Sequence, residues 1–172
     1  MTAKTFFKRV ANGKEDVIQY FLVALDRLKT AYCIIGGLAV NAYAEPLVSL
    51  DLDIVIALDN REKILEAVKH RFTIEEFPHS VNLRSDKSDL RIQIQTDPRY
   101  QDFLKRASIK KVMGYSLRVA SLEDVLIGKI WAYQDETRRK SKRQKDLTDI
   151  TRLVETYPHL KGTLPLQIRA LV

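Results

Sequence analysis

Only one cysteine, Cys33, occurs in the 172 residues. A single thiol can form no intrachain disulfide and no cysteine-rich zinc site. Long hydrophobic runs are also missing. The longest near the start, Val17 to Leu25, is interrupted by Gln19 and Tyr20 and is too short to cross a bilayer. Lys4, Lys8 and Arg9 are followed by no long apolar stretch with a cleavage site, so no signal peptide is expected. These absences point to reducing, cytoplasmic surroundings without a membrane partner. The three histidines, His70, His79 and His159, have no metal-ligand spacing. The aromatic residues are scattered, without the stacking-strand pattern of an RNA-recognition sheet. No internal repeat is visible. With 45% hydrophobic and 30% charged residues, the chain is neither disordered nor collagen-like.

What is present is an uneven charge. Residues 1–100 hold 14 basic and 14 acidic side chains, and residues 101–172 hold 15 and 8, so the whole surplus of +7 lies in the second part. Six of those bases are packed into one stretch: Arg138, Arg139, Lys140, Lys142, Arg143 and Lys145. Such a cluster suits a nucleic acid or nucleotide partner. It equally suits a solvated connection between helices.

Hydrophobic spacing predicts an amphipathic helix over Glu15 to Ala31. A strand is predicted over Tyr32 to Ile35, a short helix over Leu38 to Ala44 and a strand over Asp51 to Leu58. Asn60 to His70 reads as a helix with Asn60 as its cap. Phe72 to Phe77, Val81 to Arg84 and Leu90 to Gln95 read as strands. Asp97-Pro98 is expected to open a helix through Ala107. Ile109 to Met113 and Ser116 to Ala120 flank Gly114-Tyr115 as a hairpin. Ser121, with Asp124 three residues on, starts another helix. A last helix is expected from about Lys142 to Tyr157, before Pro158. Strands mixed with helices, then helices alone, imply an α/β (α+β) mixed sheet flanked by helices over residues 1–120. A helical region over residues 121–172 is expected to pack on that core.

The most informative stretch runs from Gly36-Gly37 to Asp51-Leu52-Asp53. Residues two apart on a strand face the same way, so Asp51 and Asp53 project side by side, roughly 6–7 Å apart. Two like charges beside a buried strand call for a compensating cation. Oxygen ligands of this kind suit Mg²⁺ or Mn²⁺ completed by a substrate phosphate. Alone, the pair also fits one Asp capping a turn and the other exposed. Gly36 and Gly37 sit between strand and helix, where glycine lets a phosphate approach the backbone. On the helix from Ser121, the side chains of Leu122, Val125, Leu126, Ile130 and Tyr133 form an apolar face with Lys129 near its centre. That lysine must snorkel out, meet a buried anion or serve a site. On the last helix Leu147, Ile150 and Val154 define the apolar face and Arg143 falls inside it. Asp146 borders that face, fitting either a group that orients Lys129 or a helix first-turn carboxylate favoured by the macrodipole, while Lys145 and Asp149 point elsewhere. Cys33, in an apolar strand, reads as an inert core thiol.

The order strand, Gly36-Gly37, helix, Asp51-x-Asp53 resembles the nucleotidyltransferase superfamily. More closely, the chain is similar to AbiEii-type nucleotidyltransferases, which include toxins of type IV toxin–antitoxin pairs. Gly36-Gly37-Leu38-Ala39-Val40-Asn41-Ala42-Tyr43 carries the likeness. So do Tyr100-Gln101-Asp102-Phe103-Leu104, Ser121-Leu122-Glu123-Asp124 with Lys129, and Lys145-Asp146-Leu147-x-Asp149-Ile150. The resemblance implies a nucleotidyltransferase fold, a divalent metal and a nucleoside triphosphate. Asp51, Asp53, Lys129 and Asp146 would be catalytic, and Gly36, Gly37, Ser49 and Lys129 would bind nucleotide. The acceptor would be RNA (a tRNA-like end), a protein or a small molecule, and a cognate antitoxin would be a partner. Two positions depart from the pattern. Leu47 stands where relatives carry arginine. Gln93 stands where the third metal-binding carboxylate is expected, and an amide oxygen can ligate a metal but is a poor base. The sequence therefore also supports an impaired member that binds nucleotide or RNA without turnover.

Overall fold

The computed structural model describes all of residues 1–172. Seven strands form one mixed sheet: β1 (Tyr32–Ile35), β2 (Asp51–Ile56), β3 (Thr73–Phe77), β4 (Ser80–Ser85), β5 (Ser88–Gln95), β6 (Ser108–Val112) and β7 (Tyr115–Val119). Their spatial order is β3-β4-β5-β2-β1-β7-β6. The hairpins β3–β4, β4–β5 and β6–β7 are antiparallel, as is β1–β2. β2 runs parallel to β5, and β1 parallel to β7. β2 is thus a central strand, and its alternation shows why. Leu52, Ile54 and Ile56 are fully buried on one face, while Asp51 and Asp53 lie on the other. Leu58 leaves the strand for a 3₁₀ turn over Leu58–Asn60 instead of continuing its buried face.

Eight helices surround the sheet: α1 (Ala3–Val10), α2 (Val17–Arg27), α3 (Gly36–Val40), α4 (Arg61–Val68), α5 (Phe103–Arg106), α6 (Leu122–Gln134), α7 (Lys140–Thr156) and α8 (Leu166–Arg169). Buried side chains from Phe7 to Ile168 join one apolar cluster, so α6, α7 and α8 share the core of the sheet. Ser121 caps α6, its hydroxyl accepting from the Asp124 N–H. Asn60 does not cap α4. It has helical dihedrals at the end of the 3₁₀ turn and its side chain makes no cap bond. The helix expected from Asp97 to Ala107 is two pieces, a 3₁₀ turn over Pro98–Tyr100 and the single turn of α5. Cys33 is fully buried, and burial pushes its thiol up to about 12. No helix is long and apolar enough to cross a membrane.

No element is expected in residues 1–14, yet Ala3–Val10 form α1. One carboxylate fixes it. Asp16 caps α2 by accepting from the Gln19 N–H, accepts from the Tyr115 hydroxyl and pairs with Lys4 at 3.0 Å. Burial raises its carboxyl, but these bonds outweigh that and hold it below its usual 3.8. Asp16→Ala is expected to cost about 1–2 kcal/mol at pH 7, the cap contribution dominating. A depressed folded pKa gives stability that is complete above 3.8 and is lost as pH falls through the folded value. Urea unfolding of both proteins should therefore show a gap that closes only below 3.8.

Candidate active site

The cleft lies where the polar face of β2 meets α3, α6 and α7, around a cavity of about 120 Å³. Asp51 and Asp53 both line it, as do Gly36, Gly37, Ser49, Gln93, Lys129 and Asp146. Gln93 is held beside Asp53 by the parallel register of β5 on β2, which also sets Arg91 beside Asp51. Nowhere do three His, Cys, Asp or Glu side chains converge, so position 93 leaves two carboxylates and an amide. Asp89, on the same strand, is exposed and does not line the cleft. The helix α3 starts at Gly36, two residues earlier than expected, and ends at Val40, four residues short of Ala44.

Gly36 has φ +70°, a left-handed conformation that glycine adopts without strain. It is needed for a second reason. A Cβ there would stand 2.1 Å from Asp53 Oδ2. The absent side chain is the space that Asp53 fills. Ser49 is buried, its Oγ 3.4 Å from the Asp51 N–H nitrogen. The loop carrying it is fixed by Asn41, whose amide donates to the Leu47 carbonyl at 2.6 Å and accepts from its N–H at 3.0 Å. Gln101 does the same at the far end of β2, donating to the Ile56 carbonyl and accepting from the Leu58 N–H. Tyr100 forms part of the wall, packed edge-on against Phe103 and Trp131. Trp131, off the main apolar stripe of α6, thereby has its own aromatic layer.

The two aspartates differ electrostatically. Burial pushes the Asp53 carboxyl above its usual value. Lys129 pulls it back and Asp51 pushes it further up, and the net direction is upward. Burial also raises Asp51, but Arg91 and Lys142 outweigh it and hold that carboxyl below its usual value. Asp51 makes two ion pairs and Asp53 makes none. A half-buried carboxylate without a cation, beside a second carboxylate and an amide oxygen, is a hard oxygen donor set. It fits a divalent cation whose shell is completed by phosphate oxygens.

Lys129 is 7% exposed and lies 2.9 Å from Asp146 and 2.7 Å from Asp149. Burial alone would lower its pKa, and the two carboxylates more than reverse that. Arg138 binds the other Asp146 oxygen at 2.7 Å, and Arg152 binds Asp149 at 2.7 Å. Asp149 corrects the sequence reading, which pointed it elsewhere. It is 2% exposed. The apolar face alone does not show it, because α7 also sends Lys142, Lys145, Asp146 and Asp149 along one polar stripe at helical spacing. Lys145, likewise read as pointing away, lines the cleft. Lys129→Met is expected to destabilise the chain by about 3 kcal/mol, because two buried carboxylates lose a shared cation. Thermal unfolding checks this, and an unchanged midpoint would contradict it.

The basic cluster is not one patch. Arg138, Lys142 and Lys145 line the cleft, and Arg139 and Lys140 are exposed. Arg143 donates to the Tyr133 carbonyl at 2.7 Å and lies over its ring, closing the last turn of α6. Arg91, Gln95 and Tyr100 also line the cleft; Tyr100 opens one of the motifs quoted above, and none of the three has a site role in the sequence reading. Arg91 and Gln95 share the strand parity of Gln93, which was the available signal.

A family profile described as nucleotidyl transferase AbiEii toxin, type IV TA system, matches residues 26–171. The chain belongs to the AbiEii nucleotidyltransferase family. Solved structures share the fold. The antibiotic-resistance enzyme ANT(2")-Ia, in complex with adenylyl-2"-tobramycin, has a TM-score of 0.64 at 16% identity, over 90% of this chain and 94% of that one. The lincosamide antibiotic adenylyltransferase LnuA, lincomycin-bound, has a TM-score of 0.56 at 14% identity, over 82% and 98%. A nucleotidyltransferase-like structure from Thermotoga maritima has a TM-score of 0.55 at 16% identity, over 77% and 91%. No curated protein shows significant sequence similarity to this chain.

Proposed function

We propose that this family member transfers a nucleoside monophosphate from a nucleoside triphosphate to an acceptor in the cytoplasm, with a divalent metal, Mg²⁺ or Mn²⁺. One observation carries the reading: Asp53, a half-buried carboxylate without an ion pair, faces the same cleft as Asp51 and the cationic side chains of α6 and α7. Asp51 and Asp53 would hold the metal, with the Gln93 oxygen beside them. When bound, the metal supplies charge neutralisation at the phosphates. The chain's own residues do the rest. Gly37 lets the triphosphate approach the backbone, Gly36 gives Asp53 its room beside it, and Ser49 offers a hydroxyl there. Lys129 acts from behind, holding Asp146 and Asp149 in place and lending its charge to Asp53. The acceptor hydroxyl attacks the α-phosphate in line and pyrophosphate leaves. Lys145, with Arg139 and Lys140 on the exposed turn, favours an anionic acceptor such as an RNA end. The tobramycin and lincomycin of the structural neighbours keep a small molecule in view, and a protein acceptor fits the same chemistry. A toxin role with a cognate antitoxin follows from the family alone.

A second reading is favoured by Gln93. Without a third carboxylate the acceptor proton has no evident base in the cleft, so the chain would bind nucleotide or RNA without turnover. Incubation with each α-phosphate-labelled triphosphate, Mg²⁺ and total RNA separates the two. Label transfer with pyrophosphate release supports transfer, and nucleotide binding without release supports the second reading. No binding to any triphosphate or to RNA would overturn both.

A further inference from the structure

The Asp51 carboxylate has both oxygens engaged. Oδ1 accepts from Arg91 Nε and lies 3.0 Å from Arg91 Nη2, and Oδ2 lies 3.4 Å from Lys142 Nζ. The cations come from opposite walls, Arg91 from β5 in register with Asp51 and Lys142 from the first turn of α7. Their side chains are 23% and 33% exposed, so both heads are turned into the cleft instead of out to water. Asp53, one strand step away, has no such partner. The two carboxylates that would share a metal are thus unequal, one open and one already neutralised.

That inequality has consequences for what can enter. A divalent cation arriving alone finds both Asp51 oxygens already facing a cation, and two unit charges beside it. At 4–5 Å these repel it even at the water-like end of screening. A cation arriving with a triphosphate brings oxygens that suit both displaced side chains. The planar guanidinium can take two phosphate oxygens at once, and the ammonium can take one as a point charge. Arg91 and Lys142 then leave Asp51 without losing an anion.

We propose that Arg91 and Lys142 are an exchangeable clamp on Asp51, which excludes free divalent cations and passes to the triphosphate when metal enters with its nucleotide. The cleft then selects the metal–nucleotide complex over either component. Arg91 becomes a nucleotide-binding residue, and Lys142 a nucleotide-binding residue in place of a nucleic-acid contact. The inference rests on the reading of the cleft as a nucleotide site.

The probe is Mn²⁺, with free ion followed by electron paramagnetic resonance, on the full chain with and without a non-hydrolysable triphosphate analogue. The wild type should bind Mn²⁺ weakly alone and much more tightly with the analogue. Arg91→Gln and Lys142→Met should each bind Mn²⁺ alone roughly tenfold more tightly, as one unit charge is removed. The extra tightening by the analogue should shrink in both. Arg91→Lys should stay close to wild type for Mn²⁺ alone, since it keeps the charge, yet lose part of the analogue effect with the fork. If Arg91→Gln does not fold, Lys142→Met at the partly exposed position reads the same effect. Variants no tighter for Mn²⁺ alone, in a chain whose wild type binds the Mn²⁺–analogue pair, would overturn the clamp and leave the nucleotide site standing. No analogue binding by any of the proteins, with or without Mn²⁺, would overturn the nucleotide site and the exchange together.

Discussion

Asp53→Asn is expected to abolish metal-dependent nucleotide binding while raising the melting temperature of the metal-free chain. The loss should exceed the roughly 10–100-fold that follows removal of a ligand's supporting partners, because Asp53 would be a ligand itself. The gain in stability has a separate cause. Asp53 is a half-buried carboxylate with Asp51 as a neighbour and no ion pair of its own, and asparagine keeps its shape against Gly36 without the charge. Relief of about 1 kcal/mol in a chain of this size moves the midpoint by about 2–4 °C. The sign of the pH dependence follows. A carboxyl raised above its usual 3.8 holds its proton more tightly when folded, so the wild type loses stability as pH rises from 3.8 through the folded value. Asp53→Asn lacks that loss. Its advantage should be absent below 3.8 and grow above it, as scanning calorimetry across pH would read. A large loss of stability at neutral pH would instead mark Asp53 as a structural carboxylate.

Gln93→Asp should have the opposite profile. The new carboxylate would sit beside Asp53 on the adjacent strand, in the register that β5 and β2 already hold. Three like charges in one cleft should lower the metal-free melting temperature. Metal affinity should rise, since ligand charge sets the strength of such oxygen sites. Nucleotide transfer should increase as well, by up to the roughly 10²–10⁴-fold that a placed base contributes. Single-turnover label transfer by wild type and variant measures it. Equal rates with tighter metal binding would mean that the proton leaves by another route and that Gln93 is no impairment.

The central sheet was readable because its strands alternate. Leu52, Ile54 and Ile56 against Asp51 and Asp53 told which face of β2 was buried, and the limits of β1 follow from its apolar run and Gly36. The sheet with its flanking helices and the nucleotidyltransferase family were both expected from the sequence. What was not readable depended on distant partners. α1 is fixed through Lys4 and Asp16 to Tyr115, nearly a hundred residues on. Residues 98–107 do not continue as one helix. There Gln101 spends its side chain on the end of β2, and Tyr100 and Phe103 turn inward to Trp131. Asp149 escaped because a wheel measured from Leu147, Ile150 and Val154 sees one buried face, while α7 has a second, polar one against α6. The six bases from Arg138 to Lys145 looked like one surface in sequence. Helical spacing sends them to the cleft, to solvent and to the Tyr133 carbonyl.

The most direct test of the account is titration calorimetry of the wild-type chain and Asp53→Asn with each nucleoside triphosphate, with and without Mg²⁺. The account predicts binding of at least one triphosphate by the wild type, dependent on Mg²⁺ and lost in Asp53→Asn. Binding that persists without metal and without the Asp53 charge, or no binding at all, would contradict it.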